Sequence, residues 1–322
     1  MVEQWSPKPL VRVQFLPLLP ARKCKNQKEK ENENMSMLEL AKGISSEPHN
    51  KFTVIMGKPG SGKTTQVGTY PKPMLYVSID TDGGGEVLKC YSDDDIKTLS
   101  LKSDEPGKPG AKHIQTKLMD LLEELSSKHP FKTVVFDAYS SIEEGVVTFL
   151  EKAKGKKLSL DERGSVGTLM LNLRNKIVEL SRGDVEYVAI CHIKDKKTTD
   201  NTTGEESIMI VPKMSYNNGN ILLERASNVM YCCKKTVIND DNTRRVAFLT
   251  YLGAHPNMDT KLRTEGKMME TGLYVEGLTY DKLQDIITNK EKVETITKIN
   301  VVESQQNPFG DDADNKDEGD NW

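Results

Sequence analysis

Membrane spans, cysteine frameworks and a strong net charge are all missing from this sequence. No apolar run approaches the length needed to cross a bilayer, and the opening MVEQWSPKPL lacks the apolar core of a secretory signal. Forty-five basic and 48 acidic residues leave a formal charge of −3, so no global field draws the chain to a polyanion. Any contact with DNA or RNA has to come from a local patch. The five cysteines, Cys24, Cys90, Cys191, Cys232 and Cys233, show neither paired spacing nor a metal-ligand pattern. A disulfide scaffold and a structural zinc site are thereby disfavoured, and a reducing cytoplasm is the expected location.

What remains is a chain of 322 residues, long enough for a large core with tails. Residues 1–48 read as an extension without apolar period. They are either disordered or, for 1–34, translated from purine-rich DNA upstream of a start codon near Met35 or Met37. Residues 49–290 alternate short apolar runs with helical periods, and 291–322 end in an acidic, disordered tail in which Pro308 and Phe309 precede a run of aspartates. That tail is a solubilising end or a docking peptide. Strands are expected at 52–56, 74–80, 133–137 and 185–193, with further strand-like runs near 228–233 and 245–252. Helices are expected at 113–129, 164–182 and 279–289. The alternation predicts an α/β fold with a mostly parallel central sheet flanked by helices. Residues 194–220 break the pattern and read as a long polar loop.

The strongest local signal is GKPGSGKT, Gly57 to Thr64, which fits G-x-x-x-x-G-K-[ST] between a strand and a helix. Gly57, Gly60 and Gly62 let the backbone wrap phosphate oxygens, while Lys58, Pro59 and Ser61 complete the cradle. Lys63 offers a charge to the β- and γ-phosphates, Thr64 a hydroxyl to magnesium, and Thr65 extends the binding segment. ATP and Mg²⁺ are the expected cofactors. Asp137 closes the run TVVFD at a strand's carboxyl end, where it would be the second metal contact.

Many nucleotide hydrolases carry a catalytic glutamate directly after that aspartate, but here Ala138 follows. Glu143 and Glu144 are expected to be carried away by a helix. A better source is the end of the second strand, LYVSIDTDGGG, where Asp80 and Asp82 run into three glycines. In this order of elements the chain resembles the RecA-like ATPases. The resemblance covers roughly 50–255. It implies that Asp82 orients the attacking water, an aspartate where the family usually has glutamate. It implies that His192, ending VAICH, senses the γ-phosphate. It implies a disordered DNA-contacting loop over 194–218, ended by GNILLERAS at Gly219 to Ser227. The chain is similar to phage nucleotide-binding proteins that are little more than a RecA-like core, of the recombinase and single-strand-annealing group. That likeness implies an ATPase that binds single-stranded DNA beside a single-strand-binding protein, forms a homo-oligomeric filament or ring, and acts in the bacterial host cytoplasm.

Several residues carry two readings. His192 on position alone is a satisfied core histidine; only the family order makes it a sensor. Lys194, Lys196 and Lys197, with Lys213, form the compact basic cluster expected to contact DNA, or are simply solvated. Tyr216 could stack on a base and Tyr91 on adenine. Lys261 and Arg263 are candidates for a cation given in trans to a neighbouring subunit, or plain loop charges. A helicase loader, a replication motor subunit and a non-DNA phosphotransferase stand as alternatives. Against them stand the lack of a C-x-x-C pair and of an arginine-rich lid.

Overall fold

Apolar runs without alternation form the centre of the sheet, because strands covered on both faces need apolar side chains throughout. In the computed structural model of the chain, β1 (Phe52–Met56), β2 (Met74–Ile79) and β4 (Thr133–Asp137) are buried at every position, and β5 (Glu186–Cys191) at all but its first. The structure describes residues 50–79, 86–199, 204, 206–238, 243–253, 257–264 and 274–288. The chain divides into units 1–47 and 48–322, and every described residue belongs to the second.

The eight-stranded sheet also takes in β3 (Ile96–Leu101), β8 (Asn228–Ile238), β9 (Arg244–Tyr251) and β10 (Tyr274–Glu276), in the order β10-β9-β8-β1-β5-β4-β2-β3. Pairings from β8 through to β3 are parallel, and only β9 runs against the rest, pairing antiparallel with both β8 and β10. The mainly parallel α/β fold expected from the sequence is present.

Alternate residues of each strand feed opposite faces. Val54, Met56, Val77, Phe136 and Ala189 pack under α2 (Ile114–Leu125), α3 (Ser141–Lys154), α4 (Leu160–Leu180) and α5 (Tyr216–Arg225). Ile55, Tyr76, Val135 and Ile190 pack on the other face against α1 (Lys63–Val67), the 3₁₀ turn Glu86–Cys90 and α6 (Tyr280–Ile287). Local caps set the helix starts. Ser159 and Glu162 form a reciprocal capping box before α4, and His113 Nδ1 accepts from the Thr116 amide at 3.3 Å to begin α2.

The described residues of the stretch expected to be a long loop are instead largely strand and helix. β6 (Ile193–Thr199) and β7 (Glu206–Pro212) form an antiparallel ribbon, and α5 follows at Tyr216. β6 was illegible because most of its residues are exposed and its sequence, IKDKKTT, has no apolar period. The ribbon is anchored through β7, where Ile210, Val211 and Pro212 are buried and the Ile210 amide donates to Asn257 O at 2.7 Å. No helix among the described residues is long and apolar enough to cross a membrane.

Candidate active site

The parallel register aligns the carboxyl ends of three neighbouring strands. Met56 pairs with Cys191, and Asp137 with Ile190, so the phosphate loop, His192 and Asp137 emerge side by side with β5 in the middle. The loop leaves β1 at Gly57, whose amide donates to Cys191 O at 3.2 Å. Lys58, Pro59 and Gly60 are exposed, Ser61 is buried, and Gly60 and Gly62 have φ of 67° and 90°. Gly57 is required for another reason. A Cβ there would sit 2.3 Å from Cys232 O and 2.6 Å from Ser61 Oγ. A Cβ on Gly60 would sit 3.4 Å from Lys234 Nζ, and one on Gly62 3.2 Å from Phe248 Cδ1. The β8–β9 pair therefore lies directly along the loop.

Lys63 is 6% exposed and its amine donates into the cradle, to Gly57 O at 2.8 Å, Lys58 O at 2.7 Å and Ser61 Oγ at 3.4 Å. Burial pushes its pKa below the ordinary lysine value, against opposing pulls from Cys232, Asp137 and Cys191. Thr64 is half-buried and Thr65 exposed in the first turn of α1. Gln66 fixes that helix to the sheet. Its Oε1 accepts from Cys232 Sγ and Thr250 Oγ1, each at 3.1 Å.

Asp137 is 9% exposed. Burial raises its carboxyl above the usual carboxylate range, while the Tyr76 hydroxyl, Lys63, His192 and Thr64 pull it back. Tyr76 Oη donates to Asp137 Oδ2 across the β2–β4 pairing. The Asp137–Ala138 peptide is cis. One carboxylate and one hydroxyl suit magnesium, a hard oxygen-seeking ion that keeps water and phosphate oxygens in its shell. The donor set thus fits both implied groups: an amine-filled cradle for phosphates and oxygen ligands for the ion.

His192 is half-buried. Its amide donates to Ser140 Oγ at 3.0 Å, and its Nδ1 is enclosed without a partner. Burial, then the nearby Lys63 charge, lowers its pKa, so the ring is neutral at neutral pH. Its carbonyl accepts from the Lys213 amide at 2.8 Å, closing the base of the ribbon. In β6 the side chains alternate, so Lys194 and Lys196 share a face and Lys197 lies on the other.

The remaining sequence candidates scatter. Asp82 lies outside the described residues, as do the two tails. Glu143 sits in the first turn of α3, where its carboxylate accepts from the Ser215 amide at 2.8 Å and Asn218 Nδ2 at 2.9 Å. Glu144 is exposed in the same turn. Lys261 pairs by backbone with Val229, on the amino side of the phosphate-loop level, and its amine donates to Glu224 O at 2.9 Å near the end of α5. The Arg263 amide donates to Asn228 Oδ1 at 3.3 Å. One face of Tyr91 is covered by the Lys72 ammonium at 4.3 Å. Cys191 is pushed up to about 12 and Cys232 to about 11 by burial, leaving inert thiols. Tyr76 and Ser140 were missed. The only trace of Tyr76 in the sequence is a hydroxyl within an apolar run.

A family model described as an AAA domain matches residues 49–264. No curated protein matches the sequence. Among matching solved structures is one titled as a prototypical ATPase from the type III secretion system of pathogenic bacteria. It aligns at 12% identity with a TM-score of 0.39, over 56% of this chain and 50% of that one. The chain thus spans half the length of that protein, and a likeness this slight carries no argument about the site.

Proposed function

The chain belongs to the AAA domain family, a P-loop ATPase, and from that premise we propose that it is a magnesium-dependent ATP hydrolase that grips single-stranded DNA, in strand annealing or homologous recombination. The observation that carries the ATPase reading is the meeting of the Lys63 amine, enclosed by the loop's own carbonyls, with the buried Asp137 carboxylate at the ends of β1 and β4. In the nucleotide complex Lys63 exchanges those carbonyls for phosphate oxygens. Asp137 and Thr64 would hold Mg²⁺, which would supply charge neutralisation to the bound phosphates. Tyr76 keeps the carboxylate oriented meanwhile. Asp82 is assigned the attacking water, so Asp82→Asn should keep ATP binding and lose turnover; normal turnover would reassign that role.

The DNA reading rests on the ribbon that begins at Ile193, one residue after His192, and carries Lys194, Lys196 and Lys197, with Lys213 just past its end. His192 meets the γ-phosphate and the ribbon meets the strand, in the company of a single-strand-binding protein. Copies assemble as a filament or ring in which Lys261 and Arg263 are offered to a neighbour's site. Each lysine–phosphate pairing removed from a single strand flattens the salt slope of log affinity by about 0.7. The triple alanine variant at Lys194, Lys196 and Lys197 should therefore lose up to about two units of slope with ATP affinity nearly intact. Because two of these lysines share a face, Lys194→Ala with Lys196→Ala should account for about 1.4 of it if that face meets the strand. Equal slopes for wild type and the triple variant, titrated with an ATP analogue present, would refute the DNA path.

A further inference from the structure

The β8–β9 pair brings a second amine to the phosphate loop. Lys234 is exposed on β8, yet its Nζ lies 3.4 Å from where a Cβ on Gly60 would stand. It forms no ion pair among the described residues, and its one aromatic neighbour, Phe248, is 6.0 Å away. A cavity of about 320 Å³ opens at this place. Lys58, Pro59 and Ser61 line one wall, and Cys233, Lys234 and Lys235 another. Lys235, next along the strand, sits 5.9 Å from the Tyr251 ring, which lines the same cavity.

Charge decides what this amine is for. A magnesium-bound triphosphate beside Lys63 and the Asp137 carboxylate retains net negative charge. Lys63 is buried and committed to the cradle from the start, so it serves binding and turnover alike. An exposed cation at the loop's outer edge, without an ion-pair partner among the described residues, can respond when charge moves. In hydrolysis the oxygen of water bonds to the γ-phosphorus and the bond from phosphorus to the β–γ bridging oxygen breaks. The electron pair leaves on ADP, and the water's proton passes to phosphate or solvent. Charge then grows on the diphosphate held by the loop.

We propose that Lys234 is a cation supplied by the same chain to the phosphates in the loop, serving hydrolysis more than binding. This rests on the ATPase reading above, and it differs from a cation lent by a neighbour because it needs no second copy. Losing one fixed donor to developing charge costs roughly 10²–10³ in turnover. For a flexible, half-solvated amine the expected loss is smaller, about tenfold or more.

The test uses the full-length protein in wild-type, Lys234→Ala, Lys234→Arg and Lys152→Ala forms, with ATP and ADP binding measured calorimetrically and phosphate release measured at saturating ATP. Lys234→Ala should bind ATP within about threefold of wild type while its turnover falls about tenfold or more. Lys234→Arg should restore most of the rate, which a merely structural side chain would not require, and Lys152→Ala, an exposed lysine in the last turn of α3, should behave as wild type. Normal turnover in Lys234→Ala overturns the assignment and leaves the ATPase reading standing. An equal loss in both lysine-to-alanine variants also overturns it, since general charge would then explain the effect. A wild-type protein that binds no ATP sinks the ATPase reading itself, and this assignment with it.

Discussion

Gly57→Ala tests whether the phosphate loop is shaped by the sheet beside it as well as by the ligand it holds. The new methyl would stand 2.3 Å from Cys232 O and 2.6 Å from Ser61 Oγ. Non-bonded heavy atoms rest near 3.5 Å, so the backbones must part by roughly 1 Å. Neither can retreat cheaply. β8 is hydrogen-bonded to β1 on one side and β9 on the other, and the Gly57 amide is tied to Cys191 O. Overpacking of this kind costs about 1–3 kcal/mol. The positive φ of 155° adds about 1–2 kcal/mol for a residue with a Cβ. The expected loss is therefore about 2–5 kcal/mol, a large part of the stability of an ordinary domain.

Gly60→Ala and Gly62→Ala supply the scale. Both sit at positive φ, but their neighbours are the end of a lysine and the ring of Phe248, which is 47% exposed and can swing away. Each should cost about 1–2 kcal/mol, from backbone strain alone. Urea unfolding followed by far-UV circular dichroism measures all three. Tryptophan fluorescence is unsuitable because Trp5 and Trp322 stand at the chain's extremes. If Gly57→Ala loses no more than Gly60→Ala, the loop has room against β8 and the reasoning fails.

Lys63→Ala should abolish ATP binding in a fluorescent-nucleotide titration while the circular dichroism spectrum is retained. Asp137→Asn should bind ATP but need far more magnesium for turnover than wild type, checked by titrating MgCl₂ in the phosphate-release assay. Glu143→Gln should leave hydrolysis close to wild type, because the side chain holds Ser215 and Asn218 and not phosphate. It should cost about 1 kcal/mol and raise hydrogen exchange across 206–218. His113 provides the pH test. Burial depresses its pKa and the neutral ring accepts the Thr116 amide, so its contribution is complete above the ordinary imidazole value and is lost as pH falls below it. His113→Asn keeps an acceptor that does not titrate. The stability of wild type should therefore fall relative to this variant between pH 7 and pH 5, read as a difference in urea midpoint at the two pH values.

The parts of this molecule legible in sequence are those whose information is local. β1, β2, β4 and β5 read as strands because burial on both faces forces unbroken apolar runs, and α2 and α4 because one buried face imposes a helical period. The loop and Asp137 follow, being short motifs at strand ends. β3 escaped because IKTLSL is an edge strand with little burial, and β6 because its ribbon is largely solvated. The polar contacts of the site were illegible for another reason. Tyr76 reaches Asp137 across 61 positions, Ser140 reaches His192 across 52 and Glu143 reaches Ser215 across 72. Each depends on sheet order, which puts β4 between β2 and β5, and no spacing within the chain encodes that.

Those long-range contacts also bear on how nucleotide could reach the ribbon. The turn after Asp137 is short and fully committed. The Tyr139 amide donates to Ile190 O at 2.8 Å, Ser140 Oγ accepts from the His192 amide, and Glu143 holds Ser215 and Asn218. One end of the β6–β7 ribbon therefore hangs from Ser140, through His192, and the other from Glu143, through the start of α5. The two ends are joined to each other by the bond from the Lys213 amide to His192 O. Were Asp137 drawn toward a bound metal, as proposed, a shift of this turn would act on both attachments at once. Each such bond contributes about 1 kcal/mol net, and couplings between sites are commonly about 1–3 kcal/mol, so a few bonds of this kind suffice. Neither a hinge nor a disordered loop is needed for the proposed DNA grip to follow the nucleotide. The peptide run that carries Asp137 is the one from which the basic ribbon is suspended.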